Sequence, residues 1–316
     1  MQFTTPIPIP KGNNPISYDS QIISLGSCFA VNIAEKLNYF KFQNTCNPFG
    51  ILFHPLAIHE IIRKSLSDEK FIDSDIFYHN EMWHCFSAHS ELSNLRKEAL
   101  LQNLNESLEI VRNKITKATH VIITYGTAWV YRDTKTGNLV ANCHKLPQSQ
   151  FTKELLPVET IQSGIAETIT LIKKASPMCA IIFTVSPVRH IKDGFIENQR
   201  SKAHLITAIH NVLDKHQIQA DYFPSYEIMM DELRDYRFYS EDMLHPNATA
   251  IQYIWNRFAE TRLSAATQTV MAEVSHIRKA LQHKPFHPDS ESHKRFLKKL
   301  QSKIQQLRQR FPDITF

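Results

Sequence analysis

Short β-branched apolar runs alternate with longer runs of helical period along most of this chain, and that alternation restricts the fold more than any single residue does. The runs 21–25, 119–125 and 179–185 read as buried strands, with a weaker one at 220–223. Helical spacing appears at 29–40, where Phe29, Ile33, Leu37 and Phe40 recur, and again at 55–65, 95–118, 158–175, 197–215 and 246–261. Apolar strands separated by helices belong in a parallel sheet covered on both faces. The expected class is therefore α/β, a three-layer α/β/α sandwich with a mainly parallel sheet. Ligands in such folds meet the carboxyl ends of strands, so the loops after Leu25, Tyr125 and Val185 are candidate site loops. Residues 71–93, rich in His and aromatics, read as an insertion or loop region, and a second insertion follows Tyr125.

Gly26-Ser27-Cys28-Phe29-Ala30 puts a serine where the first strand turns into the first helix. A hydroxyl there sits at a strand's carboxyl end, beside a helix N-terminus whose free donors favour developing negative charge. Both features suit a nucleophile. The bland reading is a serine that only caps the helix. Far along the chain, Ser240-Glu241-Asp242-Met243-Leu244-His245-Pro246-Asn247 places an Asp three residues before a His. One turn can then hold both side chains together, the carboxylate orienting the imidazole and the imidazole taking a proton from a nearby serine. Alone, that pair reads equally as a capping Asp beside an exposed His.

The string Gly26-Ser27-Cys28-Phe29-Ala30 resembles the signature of the GSCFA family, a group similar to the SGNH (GDSL-like) hydrolases. The likeness extends to Asn47-Pro48-Phe49-Gly50, Tyr125-Gly126-Thr127-Ala128-Trp129, Asn142-Cys143-His144-Lys145 and Ser186-Pro187-Val188-Arg189-His190. It ends at the Asp242/His245 motif and covers residues 20 to 260 or so. The order Ser, Asp, His, with the last two almost adjacent, is the one SGNH hydrolases use. The resemblance implies an SGNH-hydrolase-like domain over 1–261 and ester hydrolysis, with Ser27, Asp242 and His245 as the matching triad.

SGNH enzymes build the oxyanion hole from the Ser N–H, a Gly N–H after the second strand and an Asn side chain after the third. Ser27 and Gly50 match the first two. The third block here reads Gly126-Thr127-Ala128, without Asn. One such donor is typically worth ~3 kcal/mol of transition-state stabilisation, so the departure matters. Thr127 or Asn142 can substitute, and Thr127 reads equally as a turn residue. Cys28 is either a second nucleophile or a small apolar residue at the helix–sheet contact. His144, Arg189, His190 and His89 come from expected loops near strand ends and are candidates for substrate binding. Arg189 reads as a fork for a carboxylate or phosphate, or as a structural ion-pair partner.

The chain has 316 residues, no apolar run approaching the ~18 residues of a membrane span, and no basic-then-apolar pattern at its start that would mark a signal peptide. Cys28, Cys46, Cys85, Cys143 and Cys179 form no CxxC pair, which fits a reducing, cytoplasmic setting. Its 16 histidines include no HExxH, and there is no Gly-rich phosphate loop, so neither metal nor cofactor is expected. Residues 261–316 hold 11 Lys and Arg against 4 Asp and Glu, whereas 1–260 hold 25 against 27. The positive balance thus lies in a C-terminal helical extension, 262–316, with helices expected at 266–283 and 290–311. Phe296, Leu300, Ile304 and Leu307 form an apolar stripe there. A hairpin packed on the domain or on a second copy in a homodimer accounts for it better than nucleic acid does, since no base-stacking pattern accompanies the charge. The functional expectation is a serine esterase acting on an O-acyl ester of a carbohydrate or other polar small molecule. An acyltransferase on the same triad, or a scaffold of the same fold without turnover, are the alternatives.

Overall fold

A computed structural model describes residues 5–215 and 220–316. The first four residues of the expected leaderless start lie outside the described residues. In chain order the elements are β1 (Gln21–Gly26), α1 (Cys28–Tyr39), β2 (Gln43–Cys46), α2 (Pro55–Leu66), β3 (Ile76–His79), β4 (Met82–Cys85) and α3 (Lys97–Lys117). They continue with β5 (His120–Tyr125), β6 (Trp129–Asp133), β7 (Leu139–Val140), β8 (Phe151–Leu155), α4 (Val158–Ala175), β9 (Ala180–Val185), α5 (Phe195–Lys215) and β10 (Ala220–Phe223). A one-turn helix, α6 (Ser225–Glu227), precedes α7 (Ala248–Arg262), α8 (Ala265–Gln282) and α9 (Glu291–Arg310).

β10-β9-β5-β1-β2 form one sheet in that order, with every neighbouring pair parallel. Alternate residues of the central strands feed two cores, as the pleat requires. Ile23, Leu25, Val121, Ile123, Ile181 and Phe183 pack under α2, α3, α4 and α5. Ile22, Ile122 and Ile182 face the opposite way, against α1, α7, α8 and α9. The result is a three-layer α/β/α arrangement, the class expected from the alternation.

The two insertions are ordered rather than loose. Residues 76–85 make an antiparallel hairpin, and β7-β6-β8 a small antiparallel sheet. β2 was not foreseen: its sequence, Gln-Asn-Thr-Cys, is polar and only half-buried at the sheet edge. In the extension, Leu300 and Leu307 are buried against the α1–α7 layer, and Ile304 packs beside them. Phe296 departs from the expected stripe and is 36% exposed, stacked near His293 at the end of the hairpin.

The start of the described chain is strapped to the end of α7. Ile16 bridges to Leu263, and the Gly12 N–H donates to the Thr261 carbonyl at 2.9 Å. Arg262, buried, donates to the Pro10 and Tyr222 carbonyls, each at 2.8 Å, and pairs with Asp221 at 3.0 Å.

Candidate active site

Parallel register brings the ends of β1, β5 and β9 level, with Gly26 beside Thr124 and Thr124 beside Thr184. Gly26 has φ +134°, and a Cβ there would lie 2.1 Å from the Thr124 carbonyl oxygen, so only glycine fits. Asn47 fixes this turn. Its Oδ1 accepts the Gly26 N–H at 2.8 Å, and its Nδ2 donates to the Gly26 carbonyl at 3.1 Å. The strand end is thereby clamped on both sides before the chain enters α1.

Ser27 occupies the N-cap of α1 with φ −70° and ψ 176°, yet its side chain makes no capping bond. It is fully buried, and its Oγ has no hydrogen-bond partner among the described residues. A helix cap would spend that hydroxyl on a backbone N–H. Here it is left over. Cys28 beside it is partly buried, and burial pushes its thiol pKa up despite the nearby Lys202 ammonium, which disfavours the thiolate a nucleophile needs.

Asp242 and His245 lie on a turn ahead of α7 rather than on a helix, because Asn247 is the N-cap and Pro246 precedes it. Asp242 Oδ2 is 2.6 Å from His245 Nδ1, while Oδ1 accepts the N–H groups of Leu244 and His245 at 2.9 and 3.0 Å. Those two N–H donors, and then the imidazole, hold the Asp242 carboxyl down to about 2. It is therefore ionised at neutral pH and fixes which imidazole nitrogen carries the proton. The carboxylate engages Nδ1 and not Nε2.

Arg189 ties this turn to the loop after β9. Its N–H donates to the Leu244 carbonyl at 3.3 Å, and its Nη2 donates to the Met243 carbonyl. The guanidinium stacks over Tyr239, with Tyr236 and Phe195 farther out, at 4.2, 5.2 and 5.7 Å. Met243 sits at φ +59°, a left-handed conformation that this grip stabilises. Among the described residues the side chain makes no ion pair; its partners are a carbonyl and aromatic rings.

His190, the next residue, comes close to Ser27 at Gly126. Its N–H is held by Asn198 Oδ1 at 2.8 Å, and its ring meets Phe53 edge-on at 5.5 Å. A Cβ on Gly126 would be 3.3 Å from both His190 Nε2 and Ser27 Cβ, and 3.1 Å from Phe53 Cδ1. His190 Nε2 is buried without a partner. Burial first, then the charges of Lys202 and His245, push its pKa down to about 3.

Lys202 escaped the sequence reading. It is buried on α5 and donates to the Gly126 and Ser186 carbonyls at 2.7 and 2.8 Å, tying the ends of β5 and β9 together. Burial lowers its pKa to about 7. A signal existed, since Lys202 shares the helical face of Leu205 and Ile209.

The other candidates have partners inside the fold. The Ser27 N–H donates to the Thr124 carbonyl at 3.0 Å, the Gly50 N–H to Asn47 at 2.8 Å and the Thr127 N–H to Phe53 at 3.2 Å. Thr127 Oγ1 accepts the Trp129 N–H and pairs with Ser201 Oγ, both at 3.0 Å. Asn142 Oδ1 accepts the His144 N–H at 2.8 Å. His144 is buried between the insertions, with Nε2 on the Cys85 carbonyl at 2.7 Å and Nδ1 on Ser90 Oγ at 3.2 Å. His89 caps a short turn through Nδ1 and packs its Cβ against Gly50. Among the described residues, no group of three or more His, Cys, Asp or Glu is placed to hold a metal, and none of the helices is long and apolar enough to cross a membrane.

Comparison with solved structures gives low-identity likenesses. A carbohydrate esterase family 3 protein from Talaromyces cellulolyticus aligns at 12% identity and TM-score 0.29, covering 52% of this chain and 67% of that one. A Clostridium thermocellum family 3 carbohydrate esterase aligns at 9% and 0.34, covering 80% and 98%. An acetyl xylan esterase from the rumen bacterium Butyrivibrio proteoclasticus aligns at 11% and 0.40, covering 88% and 66%. No curated protein sequence matches the chain. A profile of the GSCFA family matches residues 21–258, and one described as the GSCFA domain protein C-terminal domain matches 274–316. The chain belongs to the GSCFA family.

Proposed function

We propose that this protein is a serine esterase of SGNH type, cleaving an O-acyl ester of a carbohydrate or other polar small molecule. The observation that carries this reading is the Asp242–His245 pair, bonded at 2.6 Å and fastened through Arg189 to the sheet edge where the Ser27 hydroxyl has no structural task. His245 Nε2 takes the proton from Ser27 Oγ as Oγ bonds to the acyl carbon. The carbonyl π pair moves onto oxygen, and collapse expels the alkoxide, which receives that proton from His245. Water, activated by the same imidazole, then releases the acid from Ser27. A sugar hydroxyl in place of water would make the same machinery an acyltransferase.

One observation favours the non-catalytic reading. Ser27 is fully buried and makes no bond to His245. An ester reaches Oγ only once the packing that buries it opens. Labelling with a fluorophosphonate, with Ser27→Ala as control, separates the readings. Modification at Ser27 together with hydrolysis of p-nitrophenyl acetate is expected; an unlabelled serine and no turnover would leave the scaffold.

A further inference from the structure

The backbone N–H groups of Ser27, Gly50 and Thr127 already have carbonyl acceptors within the fold, so an oxyanion at Ser27 would have to share them. Thr127 Oγ1 is likewise engaged. At Gly126, which has no Cβ to stand between them, two groups with unused hydrogen-bonding capacity come close together. These are Ser27, whose Cβ lies 3.3 Å from the point where a Cβ on Gly126 would stand, and His190, whose Nε2 lies 3.3 Å from the same point. Both Ser27 Oγ and His190 Nε2 are buried and unpartnered.

We infer that His190 Nε2–H is the side-chain donor to the oxyanion formed when Ser27 attacks an ester carbonyl. This rests on the esterase reading and adds a residue to it. The alternative role for an imidazole at this position is the general base. That role fits His245 instead, whose Nδ1 is bonded to a carboxylate, whereas among the described residues no acidic side chain is bonded to the His190 ring. An imidazole whose pKa is pushed down to about 3 stays neutral through the working range; it is a poor proton acceptor and a competent donor. No proton is transferred in this step: the N–H···O contact forms as charge reaches the carbonyl oxygen and is released as the carbonyl re-forms. A donor left unpaired in the resting enzyme and paired in the transition state contributes to kcat rather than to substrate affinity.

The test compares the intact chain with His190→Phe, which keeps the ring's bulk without a donor, and His190→Gln, which restores an N–H near the Nε2 position. Hydrolysis of p-nitrophenyl acetate, fluorophosphonate labelling of Ser27 and thermal midpoints are measured for each. With the donor role, kcat in His190→Phe falls by roughly 10²–10³ with KM little changed, and His190→Gln recovers at least tenfold of that loss. The limb of the pH–rate profile set by the general base stays where it is in His190→Gln. Activity of His190→Phe within threefold of the parent would overturn the inference and leave the esterase standing. So would equal losses in both variants at unchanged midpoint. A parent protein that neither turns over ester nor labels at Ser27 would overturn both. If His190→Phe fails to fold, failure of folded His190→Gln to exceed the activity of folded His190→Ala would overturn the donor role.

Discussion

The two halves of the proposed triad are built in opposite ways. Ser27 sits in a fully enclosed corner where Asn47, Thr124 and Lys202 fix the backbone around it. Asp242 and His245 ride on an open turn, their side chains 44% and 50% exposed, held by one arginine and its aromatic neighbours. The buried half gains its precision from close packing and fully bonded backbone, which makes it rigid and costly to disturb. The open half gains its precision from charge, since an ionised carboxylate with two backbone donors holds one geometry without burial. Rigidity of the nucleophile's bed and orientation of the base are thus separate problems with separate solutions, and substitutions should tell them apart.

The largest effect should come where activity and stability part company. Ser27→Ala should lower ester turnover by about 10⁴ or more while leaving the thermal midpoint equal or higher, because it deletes a buried hydroxyl that has no partner. A midpoint several degrees lower would mean the hydroxyl is structural after all. Lys202→Met strikes the buried half directly. Two carbonyls lose their donor, and unfolding in urea should show a loss of roughly 2–4 kcal/mol. The sign of its pH dependence is distinctive: Lys202 ionises at about 7 in the fold and at 10.5 when unfolded. The proton's penalty is full below 7 and relieved as pH rises toward 10.5, so the parent should gain stability over that window relative to the variant.

Arg189→Leu tests the open half. It should cut kcat by about 10–100-fold through a misplaced His245 while costing the fold on the order of 1 kcal/mol, read by parallel kinetics and urea titration. A large stability loss with intact kcat per folded molecule would show the arginine to be a core residue only. The smallest effect belongs to the basic helix α9. Its charges are largely solvated, and its ion pair to α8, Arg310–Glu273 at 3.0 Å, is half exposed. Moderate salt should move the thermal midpoint by about a degree or two and leave heparin retention weak. Strong salt-sensitive retention would mark the helix as a nucleic-acid surface.

Most of the architecture was legible because the central strands are apolar on both faces and the helices carry clean stripes, so burial is written into composition. β2 was not, since an edge strand of Gln43, Asn44, Thr45 and Cys46 needs no apolar pattern to pair with β1. In the site, the serine-to-helix junction and the Asp242–His245 spacing could be read because their geometry is local. Lys202, Asn47 and the position of His190 could not, because each acts across the sheet edge on a residue remote in sequence. Arg189 was legible as a charged residue in a site loop, but its partners are carbonyls and rings, which sequence spacing does not announce.

The strap between residues 10–16 and 261–263 has a consequence for how such a chain comes off the ribosome. Pro10 and Arg262 are bonded across 252 residues. The segment leading into β1, a central strand, therefore waits for almost the whole matched region to be synthesised before its own acceptors are met. At about 5–20 residues per second that delay is on the order of 10–50 seconds. β9 and β10 are complete before Arg262 is made, so this seam closes only after every strand of the sheet has been synthesised, and the segment before β1 stays unfastened until then.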